Sequence, residues 1–188
     1  MEGLHKLQGN NLQTFSEQQL VDCARGSLFP FEGPNMGCRG GNMGWAMQYS
    51  AHKGLELECG YTYSAKQGKC EYRKEQANWK NGSHKSVKKN CSLCLKAQVA
   101  QQPVSVAVNA GPMQLYKSGV FNGDCGPTTD HGVLVAGYGN DATGGDFWQI
   151  KNSWGATWGE AGYFRMARTD ATGAALCGIA TQPVYPTA

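Results

Sequence analysis

The groups best suited to nucleophilic chemistry in this 188-residue chain are its eight cysteines and, in its second half, His131 and Asn152. His131 lies in Asp130-His131-Gly132-Val133, and Asn152 lies in Lys151-Asn152-Ser153-Trp154-Gly155. A thiolate beside an imidazolium attacks a carbonyl carbon when a third group fixes the tautomer of the imidazole and donors stabilise the oxyanion. A neutral asparagine suffices as the third group, because a thiol ionises far more readily than a serine hydroxyl. None of the eight cysteines has the sequence setting of such a nucleophile.

Five motifs follow one another along the chain, and two of them contain His131 and Asn152. They are Ser16-Glu17-Gln18-Gln19-Leu20-Val21-Asp22-Cys23, Gly37-Cys38-Arg39-Gly40-Gly41, Gln102-Pro103-Val104-Ser105-Val106, Asp130-His131-Gly132 and Lys151-Asn152-Ser153-Trp154-Gly155. In content and order they resemble the papain family, in particular its cathepsin L-like peptidases, over essentially the whole chain. The resemblance implies a papain-like two-lobe α+β fold and a cysteine-type peptidase activity without a cofactor.

By this resemblance His131 is the catalytic base and acid, Asn152 holds its far ring nitrogen, and Trp154 shields their hydrogen bond from water. The nucleophile of the family stands in Gln-Gly-x-Cys-Gly-x-Cys-Trp, at the start of a long helix, and the oxyanion hole uses a glutamine side chain and the amide of that cysteine. These 188 residues contain no such stretch. We expect the chain to begin inside that helix and to be unable to cleave peptides by itself. Cys38, which the resemblance places on the substrate side of the other lobe, is not expected to substitute.

Residues for binding an extended peptide or protein substrate are better preserved. Gly40 and Gly41 are expected to form the backbone rung on which the substrate adds as a β-strand, because a side chain would block that approach. By the resemblance, the pocket for the second residue before the cut is lined by Asn42, Met43, Ala107, Thr129 and Gln182, and the leaving side is flanked by Gln114 and Trp154. Met43 and Ala107 favour an apolar side chain in that pocket.

The resemblance also pairs some of the cysteines. It joins Cys23 to Cys70 and Cys125 to Cys177, and each bridge would close a long loop and stabilise its lobe by roughly 2 to 4 kcal/mol. The family partner of Cys38 lies in the stretch that is not encoded here, so Cys38 is expected to be unpaired. Cys59, Cys91 and Cys94 have no counterpart in the common pattern, and the sequence leaves their state open.

Cys91-Ser92-Leu93-Cys94 is a CxxC motif at the start of a predicted helix. A helix N-terminus lowers the pKa of a thiol, as in redox enzymes. Because no strand of a thioredoxin-like unit precedes the motif, we interpret these cysteines as structural. Neither a second CxxC nor a pair of histidines supplies four ligands at suitable spacing, so no zinc or other metal site is expected.

Helices are predicted in the first half of the chain. Ser16 and Gln19 form a capping box, with Phe15 and Leu20 as a hydrophobic staple, so a helix should begin at Glu17. A second helix should run from an Asn42 cap to Gly54, and the range 26–41, rich in Gly and Pro, should be a loop. A third helix should run from residue 90 or 91 to about 101, ended by a proline.

Strands are predicted in the second half, where apolar and polar residues alternate. The strands should cover Val104–Val108, Val133–Tyr138, Phe147–Lys151 and Tyr163–Met166. Helices first and strands second indicate an α+β fold. We expect an incomplete helical lobe over residues 1–86 and an antiparallel, β-barrel-like lobe over residues 87–188 that carries His131 and Asn152.

Composition excludes several classes of protein. A net charge of +3 is too small and dispersed for nucleic-acid binding, and the basic stretch Lys85–Lys89 is interpreted as a solvated loop. No apolar run approaches the ~20 residues needed to span a membrane. The eight cysteines and the glycosylation sequons Asn81-Gly82-Ser83 and Asn90-Cys91-Ser92 favour a lysosomal or vacuolar, or a secreted, location.

Two hypotheses for function remain open. The chain belongs to a cysteine endopeptidase whose nucleophile is encoded elsewhere, or it is a noncatalytic pseudo-protease that binds peptides or proteins or serves as a structural subunit.

The stability of the chain by itself is a separate question. Each large apolar side chain that the absent helix would bury stabilises the folded protein by ~1.5 to 3 kcal/mol, against a total stability of ~5 to 15 kcal/mol. The chain alone is therefore expected to be marginally stable and to need a separate N-terminal segment, a partner chain or a ligand.

Overall fold

A computed structural model describes residues 1–25, 35–170 and 172–188. The chain divides into two compact units. The first unit comprises Met1–Lys85 with Pro186–Ala188, and the second comprises Ser86–Tyr185. Of the loop predicted over 26–41, residues 26–34 lie outside the described residues, and Gly37–Arg39 form one turn of 3-10 helix.

The described residues of the first unit form three α-helices, α1 (Glu2–Leu7), α2 (Glu17–Cys23) and α3 (Met43–Lys53). The second of these begins where the sequence predicts, because Ser16 Oγ accepts a hydrogen bond of 2.9 Å from the Gln19 amide. Helix α3 is capped by Asn42, whose side chain accepts from Gly44 N, and it ends at Gly54, which has a positive φ of 81°. The predicted starts of both helices are confirmed.

The second half of the predicted capping box does not form. The Gln19 side chain is fully buried, and it donates to Tyr49 OH and to the Gly54 carbonyl while accepting from Glu56 N. The Ser16 amide donates instead to the Glu56 carbonyl. Gln19 therefore links α2 to the end of α3, a role that depends on residues 30 to 37 positions away.

An aromatic cluster lies in the core of the first unit. Phe15 and Trp79 stack with ring centroids 5.4 Å apart, and the His5 ring meets both of them edge-on. From the sequence, His5, His52 and His84 lie in helix or loop segments and are expected to be exposed. This expectation is wrong for His5, because the two rings leave it only 7% exposed, whereas His52 is exposed and His84 is half-buried.

The second unit is built on a sheet with one packed helix. Helix α4 spans Ser92–Val99, so it begins near the predicted position and ends before the predicted one. The strands of the described residues are β1 (Ser83–Ser86), β2 (Val104–Val108), β3 (Val120–Phe121), β4 (His131–Asp141), β5 (Gly145–Lys151), β6 (Tyr163–Ala167) and β7 (Val184–Thr187), and of these β2 to β6 lie wholly within the second unit. Their order is β1-β7-β2-β4-β5-β6-β3.

The pairings from β7 through β2, β4 and β5 to β6 are antiparallel, whereas the short β3 pairs with β6 in parallel. Within the described residues, β1 and β3 form the two edges, so the sheet is open rather than closed into a barrel. The prediction of β2 from alternating residues is confirmed, since Val104, Val106 and Val108 are fully buried on one face of the strand. They pack in one core with large side chains of β5 and β6, among them Trp148, Ile150, Phe164 and Met166.

Candidate active site

His131 is the first residue of β4, and its backbone position is fixed on the side that faces β2. It pairs with Val108, the last residue of β2. The turn that leads into it is also held, because Asp130 N donates to the Val108 carbonyl and Asp130 Oδ1 accepts from Ala110 N at 2.9 Å. The imidazole therefore projects from a strand end whose preceding residue is anchored through both its amide and its side chain.

Asn152 directly follows the end of β5. Lys151, the last residue of that strand, pairs with Leu134 of β4, so the strand register brings Asn152 toward the beginning of β4. The Asn152 amide donates to the Gly162 carbonyl at 3.0 Å, which fixes the backbone beyond the strand. Two residues that are 21 positions apart in the sequence become neighbours through the pairing of β4 with β5.

The two side chains form a direct hydrogen bond. His131 Nε2 lies 2.8 Å from Asn152 Oδ1, and the amide of Ser153 donates to the same atom at 2.8 Å. A backbone amide can only donate, so the shared atom is the amide oxygen, and an amide oxygen accepts without donating. Nε2 must then carry the hydrogen, and the lone pair of the neutral ring lies on Nδ1. Nδ1 is the nitrogen free to take a proton from a nucleophile.

Two tryptophans cover this pair. The Trp154 ring stacks on the His131 ring with centroids 5.1 Å apart and an interplanar angle of 28°. Trp158 meets Trp154 edge-on at 4.9 Å, and its indole nitrogen donates to the Gln114 carbonyl. Apolar cover lowers the local dielectric and strengthens the hydrogen bond beneath it. Trp158 and the Ser153 amide were missed by sequence reasoning, although a second tryptophan four residues after Trp154 was a visible signal.

Four of the predicted substrate residues belong to the second unit, as His131 and Asn152 do. They are Ala107, Gln114, Thr129 and Gln182. Ala107 is half-buried and pairs with Gly132, one position along the register from the Val108 and His131 pair. Gln182 Nε2 donates to Thr129 Oγ1 at 3.3 Å, which brings together two of the residues assigned to one pocket. Gln114 is exposed and is tied to the tryptophan pair through its backbone.

The remaining predicted substrate residues lie in the first unit. Gly40 has a positive φ of 98°. A Cβ on Gly41 would lie 2.2 Å from Asn35 Oδ1, the atom that accepts from Asn42 N, so a side chain there would displace the Asn35 amide and its hydrogen bond. The N–H and carbonyl of Gly41 form no hydrogen bond with any residue that the structure describes. The Gly41 N–H and carbonyl are a donor and an acceptor of the kind that an added β-strand would bind through backbone hydrogen bonds.

Beside these glycines lies a hollow of about 230 Å³. Apolar side chains of α2 and α3 line it, namely Leu20, Val21, Met43 and Ala46. Asn42 also borders the hollow, but its side-chain oxygen is used in capping α3. An apolar ligand side chain therefore suits this surface better than a polar one.

All eight cysteines lie in the described part of the chain. Disulfides join Cys23 to Cys70 and Cys125 to Cys177, the two pairs that the resemblance implies. A third bridge joins Cys91 to Cys94, which the sequence left open. Cys38 and Cys59 are free and exposed. Among the described residues no three His, Cys, Asp or Glu side chains are grouped so as to hold a metal ion.

Comparison with known proteins extends this geometry to a family. The family model described as papain family cysteine protease matches residues 1–187. The chain belongs to the papain family. It is 44% identical over 191 residues to cysteine protease 1 of Oryza sativa subsp. japonica and 42% identical over 190 residues to vignain of Ricinus communis. These matches cover 99% of the present chain but only 38% and 51% of the two relatives.

Solved structures of papain-family proteases show the same fold. Bromelain from Ananas comosus, in complex with the E64 inhibitor, aligns with a TM-score of 0.88 and 39% identity, covering 99% of this chain and 83% of that one. Digestive procathepsin L 3 of the Tenebrio molitor larval midgut aligns with a TM-score of 0.89 and 37% identity, covering 100% of this chain and 60% of that one. The papain-like α+β fold predicted from the five motifs is confirmed.

Proposed function

We propose that this chain carries the histidine and asparagine of a papain-family cysteine endopeptidase, and that the attacking thiol comes from outside these 188 residues. The observation that carries the proposal is the 2.8 Å bond between His131 Nε2 and Asn152 Oδ1, which leaves Nδ1 as the basic nitrogen. The bromelain relative, solved with the inhibitor E64, supports an inhibitor-accessible site in this fold.

In the proposed reaction His131 moves protons and does not form covalent bonds to the substrate. Nδ1 takes the proton of the thiol, and the thiolate attacks the peptide carbonyl to form a carbon–sulfur bond. The imidazolium then gives its proton to the leaving amine, and in the second half of the cycle the ring deprotonates the water that releases the acid. Asn152 holds the ring in one orientation throughout, because its oxygen accepts from Nε2 in both charge states.

The proposal also holds that these residues alone do not catalyse. Six of the cysteines are bridged, and neither of the two free thiols, Cys38 and Cys59, stands in the sequence setting of the family's nucleophile. Activity then requires a separate N-terminal segment or a partner chain that brings both the thiol and the donors of the oxyanion hole. The members of such a catalytic set act as a unit, so the remaining pair gives no partial acyl transfer.

A noncatalytic pseudo-protease is the second candidate. It is favoured by the Gly41 backbone, which forms no hydrogen bond with any residue that the structure describes and lies beside an apolar hollow, a combination that would bind an extended peptide. In either case the bound partner is a peptide or protein strand with an apolar side chain directed at Met43, and it is not a nucleic acid.

Three disulfides support a vacuolar, lysosomal or secreted location. Among the described residues no helix is long and apolar enough to cross a membrane.

Labelling with a thiol-directed epoxide of the E64 class separates the two candidates. We expect the isolated 188-residue chain to remain unlabelled and the natural protein to be labelled on a cysteine outside these residues, with the label lost in His131→Ala. A Cys38→Ser, Cys59→Ser double variant is the matched control for adventitious thiols. Labelling of Cys38 with turnover would contradict the incomplete-site proposal. A natural protein that consists of these residues only, and that takes no label, would establish the pseudo-protease.

A further inference from the structure

The chain contains two glycosylation sequons, at Asn81 and Asn90, and the structure treats their asparagines very differently. A glycan attached to an Asn-x-Ser asparagine is bulky and hydrophilic, so the mature fold can hold it only where the side chain reaches solvent. Burial and hydrogen bonding of the two side-chain amides therefore decide which sequon the folded protein can carry in modified form.

Asn81 is embedded in the first unit. Its residue is only 1% exposed, and its Nδ2 donates to the Met47 carbonyl at 3.1 Å and to the Ser83 carbonyl at 2.6 Å. Nδ2 is the atom that a glycan would occupy. Attachment there would replace one of the two Nδ2 hydrogens, remove one of these hydrogen bonds and force a sugar into a buried site, which the fold does not accommodate.

Asn90 is exposed at the turn that precedes α4. Its φ of 56° lies in the left-handed region, which asparagine tolerates better than most residues. Its backbone is anchored on both sides, because the amide donates to the Ala180 carbonyl and the carbonyl accepts from Gly173 N. The backbone is thus fixed while the side chain lies in solvent beside the exposed Lys88 and Lys89.

We propose that Asn90 carries an N-linked glycan and that Asn81 does not. In the modification the Asn90 amide nitrogen attacks the anomeric carbon of a lipid-diphosphate-linked oligosaccharide. A carbon–nitrogen bond forms and the carbon–oxygen bond to the diphosphate breaks. The lipid diphosphate leaves with the electron pair, and the amide proton passes to a base of the transferring enzyme.

The same sequon overlaps the CxxC bridge, and this fixes the order of events. Ser92, whose hydroxyl the sequon requires, is only 1% exposed, and it stands in the first turn of α4 between the bridged Cys91 and Cys94. A transferring enzyme cannot reach that hydroxyl in the folded unit. Glycosylation of Asn90 therefore precedes docking of α4, and closure of the Cys91–Cys94 bridge, which spans Ser92, is expected to compete with it during synthesis.

The test is expression of the chain behind a cleavable secretory signal in a eukaryotic host, so that its outcome depends neither on the natural location nor on peptidase activity. Site occupancy is measured by mass spectrometry after enzymatic deglycosylation. We expect one glycan, at Asn90, which is lost in Asn90→Asp, a change that keeps a residue suited to the left-handed turn. Ser83→Ala removes the other sequon without touching the Asn81 side chain, and it should leave the glycan pattern unchanged. A glycan on Asn81 in secreted, disulfide-bonded protein, or none on Asn90, would overturn the assignment.

Cys94→Ser tests the order of events, because it prevents the bridge and leaves Asn90-Cys91-Ser92 intact. We expect the fraction of chains glycosylated at Asn90 to rise in this variant relative to the unaltered chain. An unchanged fraction, including full occupancy in both proteins, would show that bridge closure does not compete and would overturn the order while leaving the site assigned.

Discussion

At the scale of single residues, the contacts of Asn152 Oδ1 determine the chemistry available to His131. Two hydrogen-bond donors converge on this oxygen, one from the imidazole and one from the Ser153 backbone. The second donor is independent of the histidine and keeps the amide group from rotating. The ring is thereby held in one tautomer before any substrate arrives, which is the form of preorganisation that acid–base catalysis requires.

Substituting Asn152→Ala should release the ring without unfolding the second unit. We expect the nitrogen NMR signals of His131 to lose their preference for the Nε2-protonated tautomer. In the protein completed with its thiol, kcat should fall by about 10²-fold, the order expected for a misplaced catalytic group. Ser153→Ala is the matched control, since it keeps the backbone donor. Retention of the tautomer in Asn152→Ala would show that other groups orient the ring.

Asp22 offers a residue-scale test of stability against pH. Burial alone would raise the pKa of its carboxyl, but hydrogen bonds from Gly68 N, Gln18 Nε2 and Tyr61 OH outweigh burial and lower the pKa below its usual value. A lowered folded-state pKa means that the ionised form is favoured by folding. This stabilisation is fully present above the unfolded pKa of about 3.9 and is lost as the pH falls through the folded value.

Asp22→Asn should therefore destabilise the protein at pH 7, by about 1 to 3 kcal/mol, because it removes the negative charge that three donors face and replaces the acceptor of Tyr61 OH with an amide nitrogen. The difference from the unaltered chain should shrink progressively below about pH 4, where the carboxyl of the unaltered chain becomes protonated. Urea unfolding followed at a series of pH values measures both quantities. Glu75→Gln, at an exposed carboxyl, is the control. A difference that stays constant down to the acid limit would rule out the ionised carboxylate as its source.

At the scale of elements, helix starts are set by caps that can be found locally, and Ser16 shows how much depends on one of them. Its Oγ accepts from Gln19 N at the start of α2 and donates to the Tyr61 carbonyl at 2.6 Å. The hydroxyl is 1% exposed. One buried group thus terminates a helix and ties it to a distant segment of the same unit.

Ser16→Ala should lower the free energy of unfolding of the first unit by an amount near the upper end of the 0.5 to 2 kcal/mol typical of a lost N-cap, since two bonds are lost. Ser83→Ala, at an exposed serine, should change it by less than about 0.5 kcal/mol. Hydrogen exchange of peptides from α2 and α3, followed by mass spectrometry at increasing denaturant, reports on this unit. Equal effects of the two substitutions would show that the Ser16 cap does not contribute to the free energy of unfolding.

Local signals predicted the caps of α2 and α3 and the alternation of β2, because these depend on residues a few positions apart. The signals failed where partners are distant in sequence. The burial of His5 requires Trp79, and the side chain of Gln19 bonds to Tyr49 and Gly54. The two-residue strand β3 shows no periodicity of its own and exists only through pairing with β6. For the site, motif order identified His131 and Asn152, whereas the donor from Ser153 depends on the folded backbone.

For the whole molecule, the three disulfides close loops of very different length, so they are expected to stabilise the fold by different amounts. Cys23–Cys70 and Cys125–Cys177 span 47 and 52 positions of sequence, and Cys91–Cys94 spans 3. In the chain-entropy model the stabilisation from a bridge grows with the length of the loop it closes. The long bridges restrict the unfolded chain strongly, and the short one restricts it least.

The Cys125→Ser, Cys177→Ser double variant should therefore lose about 2 to 5 kcal/mol of stability, and Cys91→Ser, Cys94→Ser should lose distinctly less. Thermal unfolding of the two variants, under conditions that keep the other bridges closed, measures the difference. The matched comparison controls for the loss of two sulfurs, since both changes lie in the second unit. A larger loss from the CxxC pair would mean that it holds α4 in place by more than loop closure.

The two units also differ in what they bury. The core of the second unit contains Trp148, Ile150, Phe164 and Met166, each at most 1% exposed, whereas the buried apolar cluster of the first unit consists of Phe15, Ala24, Tyr49 and Leu55. Much of the interior of the first unit is polar, with Gln18, Gln19, Asp22 and Glu56 buried. One hydrogen bond between buried polar groups adds less net free energy of unfolding than the burial of one large apolar side chain.

Native-state hydrogen exchange should consequently resolve two levels of protection. We expect the slowest amides in β4, β5 and β6, and opening of α2 and α3 at a lower free energy, because cooperative units with less buried apolar surface open first. Mass spectrometry of peptides from each unit, at several low denaturant concentrations, gives the opening free energies directly. Equal free energies in both units, with the same denaturant dependence, would mean that the chain unfolds as one cooperative body and that the polar interior of the first unit is as stabilising as the apolar core of the second.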